Sequence, residues 1–223
     1  MSYVVLDGPD GCGKTAQARE LCAWLRERGL QVLHVREPGS TPVGEALRQL
    51  LLSPRTGHLQ PITEALLFSA ARAELVANAV APALANGQWV VAERCYLSTV
   101  VYQGLALPEA RLEVDWLFDL TRRVHGPCLP ERIFVLDVPA AVARARRQAR
   151  SDDRIEQRPP EYHERVRQGF LAAAAREVRA SVVDAGWPFA TVQANLRARL
   201  AELLPREILP PDRAARGGGG APS

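Results

Sequence analysis

Lysine is almost absent from this chain: among 28 lysine and arginine residues, Lys14 is the only lysine. The surplus of positive charge is also small, +3 over 223 residues, although the pI is near 8.9. No long basic stripe stands out, so free polynucleotide is not an expected partner. Cysteine is scarce. Cys12, Cys22, Cys95 and Cys128 form no C-x-x-C pair and have no metal-ligand spacing with the four histidines, which argues against a disulfide scaffold and for free thiols. Long apolar runs are missing as well. The first ends after five residues with no basic segment before it, and none is long enough to cross a bilayer. A cytoplasmic protein without membrane partners is the expectation. With 47% hydrophobic and 24% charged residues, the composition is that of a globular domain with a real core.

What is present begins with Gly8, Pro9, Asp10, Gly11, Cys12, Gly13, Lys14 and Thr15. They fit G-x-x-x-x-G-K-[ST], between an apolar strand at residues 3–7 and a helix at residues 15–28. Glycines let backbone N–H groups curl around an anion, and the helix N-terminus adds its positive end. Lys14 would reach the outer phosphates of a nucleotide, and the Thr15 hydroxyl would hold Mg²⁺. A composition that otherwise replaces lysine with arginine keeps one lysine in the slot where a compact ammonium is suited.

Further strands are expected at residues 31–35, 89–92, 133–137 and 181–184. Helices are expected at 43–52, from Pro61 to Asn86 with a kink at Pro82, through Gln103, and at 108–124, 139–150, 161–180 and 189–204. Alternating strands and helices argue for an α/β fold, a five-stranded parallel sheet with helices on both faces. Ligands bind outside the carboxyl ends of such strands, which gathers the phosphate loop, Arg36-Glu37, Glu93-Arg94 and the region after Asp137 on one edge. Residues 1–204 read as one domain, and the Pro/Gly-rich residues 205–223 as a disordered tail.

Four segments in this order resemble the thymidylate kinase family, of the P-loop nucleoside monophosphate kinases. They are Arg36-Glu37-Pro38-Gly39, Phe68 with Arg72, Glu93-Arg94 followed by Ser98 and Tyr102-Gln103-Gly104, and Asp153-Arg154-Ile155-Glu156. The resemblance spans roughly residues 3 to 204. It implies a three-layer kinase fold with a lid at about 144–160, a homodimer, and transfer of the γ-phosphoryl of ATP to dTMP with Mg²⁺. It also implies roles. Glu37 and Asp10 would face the acceptor and its metal side, and Phe68 would stack on the pyrimidine. Arg72, one turn later on the same face, would reach a base carbonyl. Arg94 would bind the acceptor phosphate beside Ser98, Glu93 would hold the metal's water shell, Tyr102 would press on the sugar and Gln103 would lie near the base.

Some family members carry a catalytic arginine in the phosphate loop, where this chain has Gly11, and others carry it in the lid. Arg147 and Arg150 are the candidates here; with Arg154 they fall at i+3 and i+4 spacings along one helical face, with Arg144 and Arg146 nearby. Departures from the family pattern are Glu93 for a common aspartate, Ser40 for a second glycine, Ala16 for a second hydroxyl, and Leu105-Ala106-Leu107-Pro108 for a Gly/Arg stretch. They leave two other readings open: a kinase for another nucleoside monophosphate, or a nucleotide-binding module without turnover.

Overall fold

A computed structural model describes residues 2–147 and 153–204. Five parallel strands, β1 (Tyr3–Asp7), β2 (Val32–Arg36), β3 (Trp89–Glu93), β4 (Arg132–Asp137) and β5 (Ala180–Asp184), lie in the order β2-β3-β1-β4-β5. The central strands are apolar on both faces, as a covered parallel sheet requires. Tyr3, Val5, Val90, Ala92, Ile133 and Val135 face one core, while Val4, Leu6, Val91, Phe134 and Leu136 face a second. The second core is closed by α1 (Lys14–Arg26) and α9 (Phe189–Ala201). The first is closed by α3 (Pro61–Leu75), α6 (Val114–His125) and α8 (Pro160–Arg176). The expected three-layer α/β fold is therefore present.

Several boundaries differ from expectation for local reasons. The long helix after Pro61 is three pieces: α3, a π-helical turn Val76–Val80, and α4 (Ala81–Ala85). The wide turn precedes Pro82, which cannot donate to the helical ladder. The short α5 (Tyr96–Thr99) runs into another π-helical turn, Val100–Leu105, which carries Tyr102 and Gln103. No helix starts at Pro108. Only a 3₁₀ turn, Pro108–Ala110, forms there, and Arg111 at φ 54 breaks the path before α6. Helix α8 stops at Arg176 because Glu177 turns extended and accepts from the Tyr96 hydroxyl at 2.7 Å. Helix α2 (Pro42–Leu52) starts under Thr41, whose side chain accepts from the Gly44 N–H at 3.0 Å. Helix α7 (Ala140–Arg147) is the base of the expected lid. The tail and Arg150 lie outside the described residues. Among the described residues no helix is long and apolar enough to cross a membrane.

Candidate active site

The carboxyl ends of β1, β2 and β3 open into a cavity of about 730 Å³. Its described lining carries eight lysine and arginine residues against five carboxylates. The described lining is therefore net positive, as a site for anions requires. Every predicted site residue among those described lines it except Gly8, Pro9 and Cys12, which are buried behind the loop.

On one side stands the phosphate loop. Gly13 enters α1 at φ 99, a conformation side-chain-bearing residues rarely adopt, and no side chain caps the helix. Its first N–H groups are thus left for an anion. Lys14 is buried, and its Nζ donates to the carbonyls of Gly8 at 2.9 Å and Pro9 at 2.8 Å. Cys12 does not face the cavity as the motif suggested. Its N–H turns back to the Pro9 carbonyl at 3.3 Å and its thiol sits in the second core, where burial pushes the thiol pKa up. Thr15 donates its hydroxyl to Glu93 Oε2, and His34 Nε2 lies 3.0 Å from Glu93 Oε1.

Gly11 sits under α7. A Cβ there would lie 2.2 Å from the Ala143 carbonyl oxygen, and φ is already +86. A loop arginine is sterically excluded while α7 packs here, and α7 instead brings Arg147, whose Nη1 donates to the Asp10 carbonyl at 2.9 Å. Arg147 is buried and its Nε has no partner among the described residues. Arg146 donates to the Ala185 carbonyl at 3.1 and 3.2 Å, bringing the loop after β5 to the rim. Arg154 does not share a helical face with Arg147. It lies in a turn before α8, 2.8 Å from Glu64 Oε1 and bonded to the Leu51 carbonyl, because that buried carboxylate is a better partner than a row of like charges.

The other side is built from arginines held by distant carboxylates. Arg94 adopts φ 72, a strained conformation for a residue with a Cβ. It is kept there by Asp10, by Ser98 Oγ at 3.0 Å and by the Gly8 carbonyl at 3.4 Å. Tyr102 donates its hydroxyl to Asp10 Oδ2 at 2.7 Å, and the Arg94 guanidinium stands 5.2 Å from the Tyr102 ring centre. Burial opposes the charge of Asp10, but Arg94, Lys14 and the Tyr102 hydroxyl outweigh it and hold the carboxyl well below the usual range. Asp10 thus orients an arginine and a tyrosine.

Glu37 likewise holds an arginine, though not its neighbour Arg36, which binds Glu45 at 3.2 Å. Its Oε2 accepts from Arg72 Nε at 2.7 Å, both side chains being buried. Burial raises the Glu37 pKa even against the pull of Arg72. Arg72 Nη2 donates to the Cys95 carbonyl and Thr99 Oγ1, whereas Nη1 has no partner. Four residues earlier on α3, Phe68 is half-buried at the cavity wall. Gln103 is buried with its Nε2 donating to Glu64 Oε2 at 3.0 Å. Ser40 occupies the place of a second glycine by adopting φ 64, held by Glu45 through its N–H at 2.9 Å.

Sequence reasoning missed several members. Asp7 accepts from Gly8 N, Cys95 N, Ser98 N and Ser98 Oγ at 2.7 to 3.2 Å, fastening the Arg94 loop to the phosphate loop. Its signal was visible: a carboxylate ending an apolar strand just before the first loop glycine. Arg48 lines the cavity and makes no ion pair among the described residues, its pKa lowered by burial and by Arg36. Glu64 binds Gln103, Arg154 and Arg158 while fully buried. Nothing near either residue in the sequence announced it.

The cavity thus has a phosphate loop at one wall and an aromatic-arginine pair at the other. Comparison with known proteins decides which family this is: the thymidylate kinase family pattern matches residues 6–196. The chain belongs to the thymidylate kinase family. It is 41% identical over 207 residues to a thymidylate kinase of Symbiobacterium thermophilum, covering 92% of this chain and 95% of that protein. A thymidylate kinase of Thermomicrobium roseum is 42% identical over 207 residues, covering 92% and 96%. One of Clavibacter sepedonicus is 40% identical over 205 residues, covering 91% and 95%.

Proposed function

We infer that the chain transfers the γ-phosphoryl of ATP to dTMP, giving ADP and dTDP. The observation that carries the reading is the single cavity that joins the phosphate loop to Phe68, Arg72 and Arg94. An oxygen of the acceptor phosphate attacks the γ-phosphorus while the bond to the β-phosphate's bridging oxygen breaks, and ADP leaves with that electron pair. Catalysis then consists of positioning and charge neutralisation.

On this reading Lys14 exchanges the Gly8 and Pro9 carbonyls for ATP phosphates, and the free N–H groups of α1 bind them. Arg94, held by Asp10 and Ser98, grips the acceptor phosphate, with Arg48, bonded to the Pro38 carbonyl at 3.0 Å, nearby. Phe68 stacks on the base and the open Nη1 of Arg72 donates to a base carbonyl. Tyr102, fixed by Asp10, packs on the sugar, and Gln103 is held toward the base by Glu64. Arg147 supplies positive charge at the transferring group; Arg150, outside the described residues, is the second lid candidate.

Mg²⁺ fits the donor set. Thr15 and Glu93 offer hard oxygen donors at the N-terminus of α1. Among the described residues no group of three or more His, Cys, Asp and Glu could hold a metal alone, so most ligands would come from phosphate and water. The ion, when bound, neutralises charge on the ATP phosphates.

The changed segment after Gly104 motivates a second acceptor as the competing reading. Here Ala106 is buried and its carbonyl accepts from Arg165 at 3.0 Å, so the segment packs inward. Coupled ADP release with thymidine, uridine, cytidine and adenosine monophosphates separates the readings. Turnover with dTMP alone is expected, and turnover with none despite ATP binding would overturn the enzyme. The homodimer and cytoplasmic setting implied by the resemblance belong to the same proposal; sedimentation velocity and cell fractionation check them.

A further inference from the structure

His34 has no part in the roles above, yet it stands against the metal side of the site. Strand β2 pairs His34 with Val91, so Glu93, two residues further along β3, is its diagonal neighbour on the same face of the sheet. The carboxylate of Glu93 is nearly buried and is approached from both ends. Thr15 donates to Oε2, and His34 Nε2 stands 3.0 Å from Oε1. Among the described residues Nε2 has no polar partner that competes with this carboxylate. Burial disfavours the charge on Glu93, and the contacts of His34 and Thr15 with the Lys14 charge outweigh it.

We propose that His34 is a positioning residue for Mg²⁺: it fixes one oxygen of Glu93 so that the other stays turned toward the Thr15 hydroxyl. A glutamate has one more rotatable bond than an aspartate, and that extra freedom lets its carboxylate swing off the metal side unless something holds the far oxygen. His34 supplies that hold from the neighbouring strand. Groups that orient a metal-side carboxylate change metal affinity by roughly 10- to 100-fold when removed.

The inference rests on the reading of Thr15 and Glu93 as the metal side of the donor site. The test measures Mn²⁺ affinity of the ADP-bound protein from the electron paramagnetic resonance signal of free Mn²⁺. In His34→Leu the affinity should fall about tenfold, with dTMP affinity unchanged. His34→Gln, whose amide can occupy the place of Nε2, should keep most of it. In a Glu93→Asp background the carboxylate is withdrawn by one C–C bond, about 1.5 Å, and His34→Leu should then cost nothing further. Unaltered Mn²⁺ affinity in His34→Leu, or the same loss in both backgrounds, would overturn the proposal. If the leucine variant does not fold, His34→Asn, too short to reach Glu93, carries the same expectation. Thr15→Val separates the two levels. Retained affinity there removes the metal-site reading itself, whereas loss there with His34→Leu unaffected removes only the role of His34.

Discussion

The two walls of the cavity are made by opposite means. The donor wall is local: eight consecutive residues, most of the polar work done by backbone, and one lysine resting on its own loop's carbonyls. The acceptor wall is assembled from afar. Arg94 depends on a carboxylate 84 residues away, Arg72 on one 35 away and Gln103 on one 39 away. A backbone cradle tolerates change in its side chains but not in its glycines. A wall of buried charge pairs fails whenever one partner is removed, because the other is left uncompensated.

Breaking the donor wall should have the largest effect. Lys14→Ala removes the loop's own cation, and the rate constant for phosphoryl transfer should fall about 10³-fold in single-turnover assays, with dTMP binding intact. Arg94→Ala comes next, and it strikes the other wall. Its kcat/KM for dTMP should drop about 10²-fold or more, as for truncating one partner of a buried charge pair, while the KM for ATP stays near its original value. Equal damage to both substrates would dissolve the distinction between the walls.

Glu37→Ala tests whether acceptor-wall carboxylates are scaffolding. Stranding Arg72 should cost about 3 kcal/mol of stability, read by urea denaturation; rescue by Glu37→Gln, which keeps an acceptor for Arg72 Nε, should be partial. A pH-dependent effect, small near neutrality, sharpens the same point. His125 is buried beside Tyr96, 5.3 Å between ring centres, and burial with the nearby Arg72 charge lowers its pKa to about 3. The unfolded chain takes up a proton near pH 6.5 and the folded one does not, so stability contributed by the neutral ring falls as pH drops from about 6.5 toward 3. The slope approaches about 1.4 kcal/mol per pH unit, and His125→Phe should flatten it in melts across that window.

The same division explains what could be read from the chain. The donor loop was legible because its function resides in contiguous glycines and a lysine, and the sheet because its strands are apolar runs. Arg94 and Arg72 were legible as acceptor-side candidates only through the order of family segments. Their supports were not: Asp10 and Glu37 look like metal or substrate ligands in sequence, and only the fold turns them toward arginines. Arg154 shows the same limit, since helical spacing grouped it with Arg147 whereas Glu64, invisible as a partner from α3, captured it. The slot at Gly11 was read correctly as lacking an arginine, but the reason, a helix carbonyl where Cβ would be, is tertiary.

The solitary lysine turns the donor wall into its own reporter. Any reagent or modifying enzyme selective for side-chain amines has one target in this protein, and that target is buried between the carbonyls of Gly8 and Pro9. A mass shift of one acyl group beyond the chain's α-amino terminus therefore counts molecules whose loop has opened. Adding ATP should extinguish that shift, so occupancy of the nucleotide site can be followed in a crude mixture without a radiolabel, a coupled enzyme or a mutation.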